Sequence, residues 1–179
     1  MKDSELIEIC RAKDIGRFQE FLSSMDLEDK SRYISEVRYV EYQPEARFIH
    51  SEIGEVTYGK VLAKTSASIR GNFLIPNTKS RIIIYQKLFE DIPVRGMNVG
   101  DLYSVVVDHE GTHAKDFYEA PWKIGIFSGV GFHPRKIRAE LRAFEEQERN
   151  FQHRGCSQGF MDRIRKSKII AELQLYNLT

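Results

Sequence analysis

Asp101-Leu-Tyr-Ser-Val-Val-Val-Asp-His-Glu-Gly-Thr-His-Ala-Lys-Asp-Phe-Tyr-Glu119 is the stretch on which the reading of this chain turns. Its Val105-Val106-Val107 run suits a strand, because β-branched side chains are stiff at χ1 and pack well on a pleated surface. The helical wheel argues the other way. At about 100° per residue, Leu102, Val105, Val106, His109, His113, Asp116 and Phe117 share one contiguous face. The spacing therefore predicts a helix, with Asp101 as its N-cap and an end before Pro121.

On such a helix His109 and His113 stand at i and i+4, one turn apart on the same side, so both imidazoles can reach a single ion. Glu110 lies about 60° round from His113. From there it can hold a water beside the ion without ligating it. Two histidines of this kind imply a zinc site, and a catalytic zinc has three protein ligands and an open position. The third ligand must come from elsewhere in the chain. Glycine and histidine three and six residues after His113 would supply it in the metzincin pattern. Asp116 and Glu119 occupy those places, which excludes that subclass.

Downstream, a glycine-rich run, Gly125–Gly131, precedes Pro134, which can open a helix at its first position and carry it to about Phe151. This helix has an apolar face of Ile137, Leu141, Phe144 and Phe151. Glu140 sits at the border of that face beside Ala143; Glu145, Glu148 and the preceding His133 are alternative third ligands. A last amphipathic helix would turn Ile169, Ile170, Leu173 and Tyr176 inward. His50 and His153 carry no spacing signal.

Upstream, residues 3 to about 42 read as helical. Leu6, Ile9 and Cys10 share a face, Asp14 caps a second helix with Ile15, Phe18, Phe21 and Leu22, and a third runs from Leu27 to Val40. From Val56 to Ile92 the chain turns to β-branched and aromatic residues. Phe73–Ile75 and Arg81–Tyr85, joined through Pro76–Ser80, read as a hairpin. The fold expected is α+β: N-terminal helices over residues 1–43, then a core over 44–179 with a small antiparallel sheet, the histidine helix and a ligand-bearing helix, all in a single domain of 179 residues.

With 27 Lys+Arg against 26 Asp+Glu, the net charge of +1 gives no reason to expect nucleic acid or an anionic membrane as partner. No apolar run reaches the length of a membrane span. Two cysteines, Cys10 and Cys156, cannot build a disulfide framework. As free thiols, and with acids rather than bases at the N-terminus, they suggest a cytoplasmic protein.

The motif His109-Glu-x-x-His113 with Ala139-Glu-Leu-Arg-Ala-Phe144 resembles the gluzincin metallopeptidases, which pair HExxH with a glutamate on a later helix. The Glu-x-x-Ala form is similar to small members of that group and, more loosely, to the ImmA/IrrE regulatory proteases. The resemblance covers about residues 70 to 147. It implies a minimal zincin-like fold, a zinc ion held by His109, His113 and Glu140, and Glu110 as general base in peptide hydrolysis. It also implies that Ala143 lets the two helices approach. The chain departs from thermolysin, whose glutamate helix has an aspartate four residues on, because Phe144 stands there; no orienting partner for the histidines follows from the sequence. The expected function is a zinc metallopeptidase acting on a peptide or protein substrate. The rivals are a non-catalytic zinc-binding or interaction module and a metal-dependent hydrolase of another substrate.

Overall fold

The computed structural model describes residues 1–42, 45–49, 56–60, 63–66, 69–70, 73–74, 79–120 and 134–178. Helix α1 (Asp3–Arg11) buries Leu6, Ile9 and Cys10, and α2 (Ile15–Ser24) buries Phe18, Phe21 and Leu22, while Ile15, expected on the same face, is exposed in its first turn. The Asp14 side chain accepts from the Arg17 amide, so it caps α2 as the sequence predicts.

The expected third helix, Leu27–Val40, does not form. A short 3-10 turn, Glu28–Arg32, leads instead into strand β1 (Ile34–Val40). The reason lies in an irregularity of register between Ile34 and Glu36. A bulge adds a residue to a strand, so the buried Ile34 and Val37 fall three apart and imitate a helical face.

Strands β2 (Glu45–Ile49) and β3 (Val56–Lys60) form an antiparallel pair, and β5 (Ile69–Arg70) pairs with β6 (Phe73–Leu74). The sheet under the site is three-stranded, in the order β1-β7-β4, with β4 spanning Ala63–Ser66 and β7 spanning Ser80–Tyr85. It is mixed, not antiparallel, since β7 runs parallel to β1 and antiparallel to β4. The expected hairpin is likewise corrected: Phe73–Leu74 pairs with Ile69–Arg70, and β7 takes its partners from residues far off in sequence. Ile75 of the expected strand and residues 76–78 of the expected turn lie outside the described residues. β7 is central and reads as a continuous apolar run, with Ile82 and Ile84 fully buried.

Helix α3 (Gln86–Arg95) follows β7 directly, where the β-rich reading extended to Ile92. Pro93 sits within it, and Gly96 closes it in the left-handed conformation. The next helix begins earlier than expected. Asn98, not Asp101, is the N-cap of α4 (Val99–Tyr103), and Asp101 completes a capping box by accepting from the Asn98 amide. A π-helical stretch, Ser104–Glu110, joins α4 to α5 (Gly111–Glu119), so the predicted helix is continuous through Val105–Val107 and ends before Pro121.

Pro134 opens α6 (Pro134–Arg154), and Ser157 caps α7 (Gln158–Tyr176). The deeply buried positions of α6 are Ile137, Ala139, Ala143 and Gln147, while Leu141, Phe144 and Phe151 are half-buried. On α7 the inward residues are Phe160, Met161, Ile164 and Ala171. Ile169, Ile170, Leu173 and Tyr176 are exposed, which reverses the expected face. No helix among the described residues is long and apolar enough to cross a membrane.

Candidate metal centre

The site forms where the π stretch, α5 and α6 meet above β7 and β4. Valines 105–107 are buried and anchor the π stretch in the core. His109 and His113 face α6, where they meet Gln147 and Glu140. Ala139 and Ala143, both almost wholly buried, let α6 approach closely, and Glu140 reaches the two imidazoles from it.

Glu140 Oε2 lies 3.3 Å from His109 Nε2 and 3.6 Å from His113 Nε2. One ligand atom from each of the three residues falls within 4.8 Å of the others. Tetrahedral zinc with bonds of about 2.0–2.2 Å separates its ligand atoms by about 3.3–3.6 Å, the range in which both imidazole-to-Glu140 distances fall. A His/His/carboxylate set is not selective for zinc alone. The His109 and His113 side chains are 16% and 12% exposed, and that of Glu140 36%, so the cluster is sunk but open on the carboxylate side.

The electrostatics follow from this crowding. Burial alone would lower the His113 pKa. The adjacent Glu140 carboxylate, with Glu110 and Asp116 behind it, outweighs burial and raises it to about 9. Burial in turn would raise the Glu140 pKa. His113 and His109, through charge and hydrogen bonding, hold it well below the usual carboxylate range. Without metal, the cluster is a coupled acid–base group that shares protons a cation would displace.

Glu110 is buried and stands outside the three-residue cluster. Thr65 on β4 holds it, with Oγ1 2.8 Å from both the Glu110 carbonyl oxygen and Oε2. Gly111 follows because a Cβ there would come 3.0 Å from Cγ of the buried Lys30.

Three residues that the sequence did not single out complete the site. Thr65 is one. Gln147, only 2% exposed, places Oε1 3.0 Å from His109 Nδ1 and donates from Nε2 to Ser104 Oγ at 3.2 Å. It falls seven residues after Glu140, two turns along the same side of α6, and that periodicity was its available signal. Asp108, 1% exposed, accepts from Arg154 at 2.9 Å and from Asn150 at 2.9 Å, and Arg154 also pairs with Glu28. This buried network ties the histidine helix to the end of α6.

The other candidates lie elsewhere. Glu148 pairs with Lys168 at 2.6 Å and Glu145 is exposed, so neither joins the cluster. Asp116, placed on the histidine face by the wheel, pairs with Arg142. His153 is exposed on α6. His133, His50 and the Gly125–Gly131 run lie outside the described residues. Phe144 packs on the His109 ring with centroids 5.1 Å apart. In comparisons with known proteins, no family model, curated protein or solved structure matches the chain.

Proposed function

We propose that this protein is a zinc-dependent peptidase, with His109, His113 and Glu140 as the metal ligands and Glu110 as the general base. The observation that carries the reading is the convergence of the three donors within 4.8 Å of one another beside a buried carboxylate outside the donor set. Zinc bound there would polarise a scissile carbonyl and bring the pKa of its water to about 7. Glu110 takes the proton of the attacking water and delivers it to the leaving amine, so water adds across the C–N bond. The Thr65 hydroxyl orients the Glu110 carboxylate. Among the described residues, β4 is an outer strand of its sheet, and its edge would align an extended peptide by strand addition.

Demetallated protein should take up about one zinc ion per chain, measured by calorimetry and elemental analysis, and cleave members of a broad peptide library. Glu110→Gln keeps shape and hydrogen-bonding capacity while removing basicity. It should retain zinc and lower turnover by at least about 10². Failure of the wild type to bind zinc would overturn the proposal. So would a Glu110→Gln variant that loses the metal or cleaves at the wild-type rate.

A further inference from the structure

Gln147 is a polar side chain on an otherwise apolar seam of α6, between the turn of Ala143 and the core. A buried amide costs free energy unless it is hydrogen-bonded, so its two partners explain why it can be there. One partner is His109 Nδ1. The other is Ser104 Oγ, itself completely buried at the start of the π stretch. The two bonds act in sequence. Because the amide N–H₂ donates to Ser104, the carbonyl oxygen is the end turned toward His109. A carbonyl oxygen can only accept, so Nδ1 of His109 must carry a proton, and its remaining ring nitrogen, Nε2, faces Glu140 and His113.

The ring is constrained on its other sides as well. Phe144 packs at 5.1 Å and 52°, and the His113 ring stands edge-on at 5.0 Å and 84°. These aromatic contacts limit where the ring lies. They do not choose which nitrogen faces the cluster; the Gln147–Ser104 pair at Nδ1 does, together with the Glu140 carboxylate at Nε2.

We propose that Gln147, held by Ser104, is the positioning residue of the metal centre, presenting His109 Nε2 as the ligand atom for a divalent cation of the zinc class. The inference rests on the metal-site reading above. It assigns to a neutral amide the orienting role that a carboxylate or a backbone carbonyl fills in many zinc sites.

The test compares zinc affinities of wild type, Gln147→Met and Gln147→Glu by competition with a chromogenic chelator. Circular dichroism and metal-free melting temperature show that each variant is folded. Met matches Gln in size and removes the carbonyl acceptor. Glu keeps an oxygen acceptor facing His109, to which the Ser104 hydroxyl can donate. Gln147→Met should bind zinc about 10–100-fold more weakly, and Gln147→Glu at least as tightly as wild type. In zinc-loaded, ¹⁵N-labelled wild type, the His109 Nδ1–H proton should appear downfield and exchange slowly with water. In Gln147→Met that protection should be lost.

A folded Gln147→Met variant with wild-type affinity would overturn the proposal while leaving the metal site intact. A Gln147→Glu variant as weak as Gln147→Met would do the same, since packing alone would then be the cause. If Gln147→Met does not fold, Ser104→Ala serves: it frees the amide to turn, so zinc affinity and Nδ1–H protection should both fall, and no change in either would overturn the proposal. Wild type that binds no zinc would remove the metal-site reading and this inference together.

Discussion

Raising the pH from about 7 to about 9 should tighten zinc binding about a hundredfold. Proton and metal compete for His113. Metal-free, that histidine keeps its proton up to about pH 9, because Glu140, Glu110 and Asp116 together outweigh its burial. Below that pH the ion must expel the proton, at a cost of about 1.4 kcal/mol per pH unit. Two units cost about 2.7 kcal/mol, which is the hundredfold. The metal-free protein should show the opposite trend. A histidine whose pKa rises on folding, here from 6.5 to about 9, adds stability that is fully present below about pH 6.5 and is lost as pH rises through about 9. The loss is at most about 3 kcal/mol, and with the His113 side chain only 12% exposed, solvent screens little of it. Chelator competition at a series of pH values reads the first slope. Calorimetry in two buffers of different ionisation enthalpy counts the proton released, about one per zinc near neutral pH. Urea unfolding of the chelated protein reads the second. An affinity that is flat between about pH 7 and 9, or a metal-free stability that does not fall over the same range, would refute the coupling of His113 to Glu140.

Arg154→Met should lower stability by about 3–5 kcal/mol in urea unfolding, because Asp108 would be left charged and unpaired in the interior. Adding Asp108→Asn should recover much of that loss, as expected for coupled partners. Thr65→Val should cost about 1–3 kcal/mol by removing the hydroxyl from two buried Glu110 oxygens, and Thr65→Ser should restore most of it. Gly100→Ala should lower the melting temperature, since its Cβ would lie 2.1 Å from the Arg154 carbonyl oxygen and force α4 from the α6–α7 turn, costing about 1–3 kcal/mol or more.

The parts of this fold that were legible in the sequence are those whose signal is local. An i, i+4 histidine pair, an Asp14 cap and a Pro134 helix start each state their structure within a few residues. Glu140 could be placed near the histidines only by the Glu-x-x-Ala resemblance, because three acids on α6 were compatible with its wheel. What was hidden depends on distant partners. β1 and β7 pair in parallel across some 40 intervening residues, and no local pattern encodes a parallel neighbour. The bulge in β1 disguised a strand as a helix. On α7 the apolar stripe of Ile169, Ile170, Leu173 and Tyr176 faces outward, and periodicity alone cannot say which side of a helix meets the core. Gln147 and Thr65 were missed because polar residues at core positions stand out only once their partners are known.

The π-helical stretch just before the motif has a consequence for how this chain can vary in length. Its last link is visible in the Gly111 amide, which donates to the Val106 carbonyl five residues back. Closing a turn over five residues instead of four accommodates one more residue than an α-helix does, so the seven residues of Ser104–Glu110 amount to a one-residue insertion in an otherwise α-helical rod. Deleting one residue between Ser104 and Asp108 would let the rod relax to ordinary winding while α4 and α5 kept their seats. His109 lies inside the π stretch and His113 in α5, so a deletion placed before His109 leaves the three residues between them unchanged. Natural variants of this helix should therefore differ by single-residue gaps at positions 105–107, and never between the two histidines.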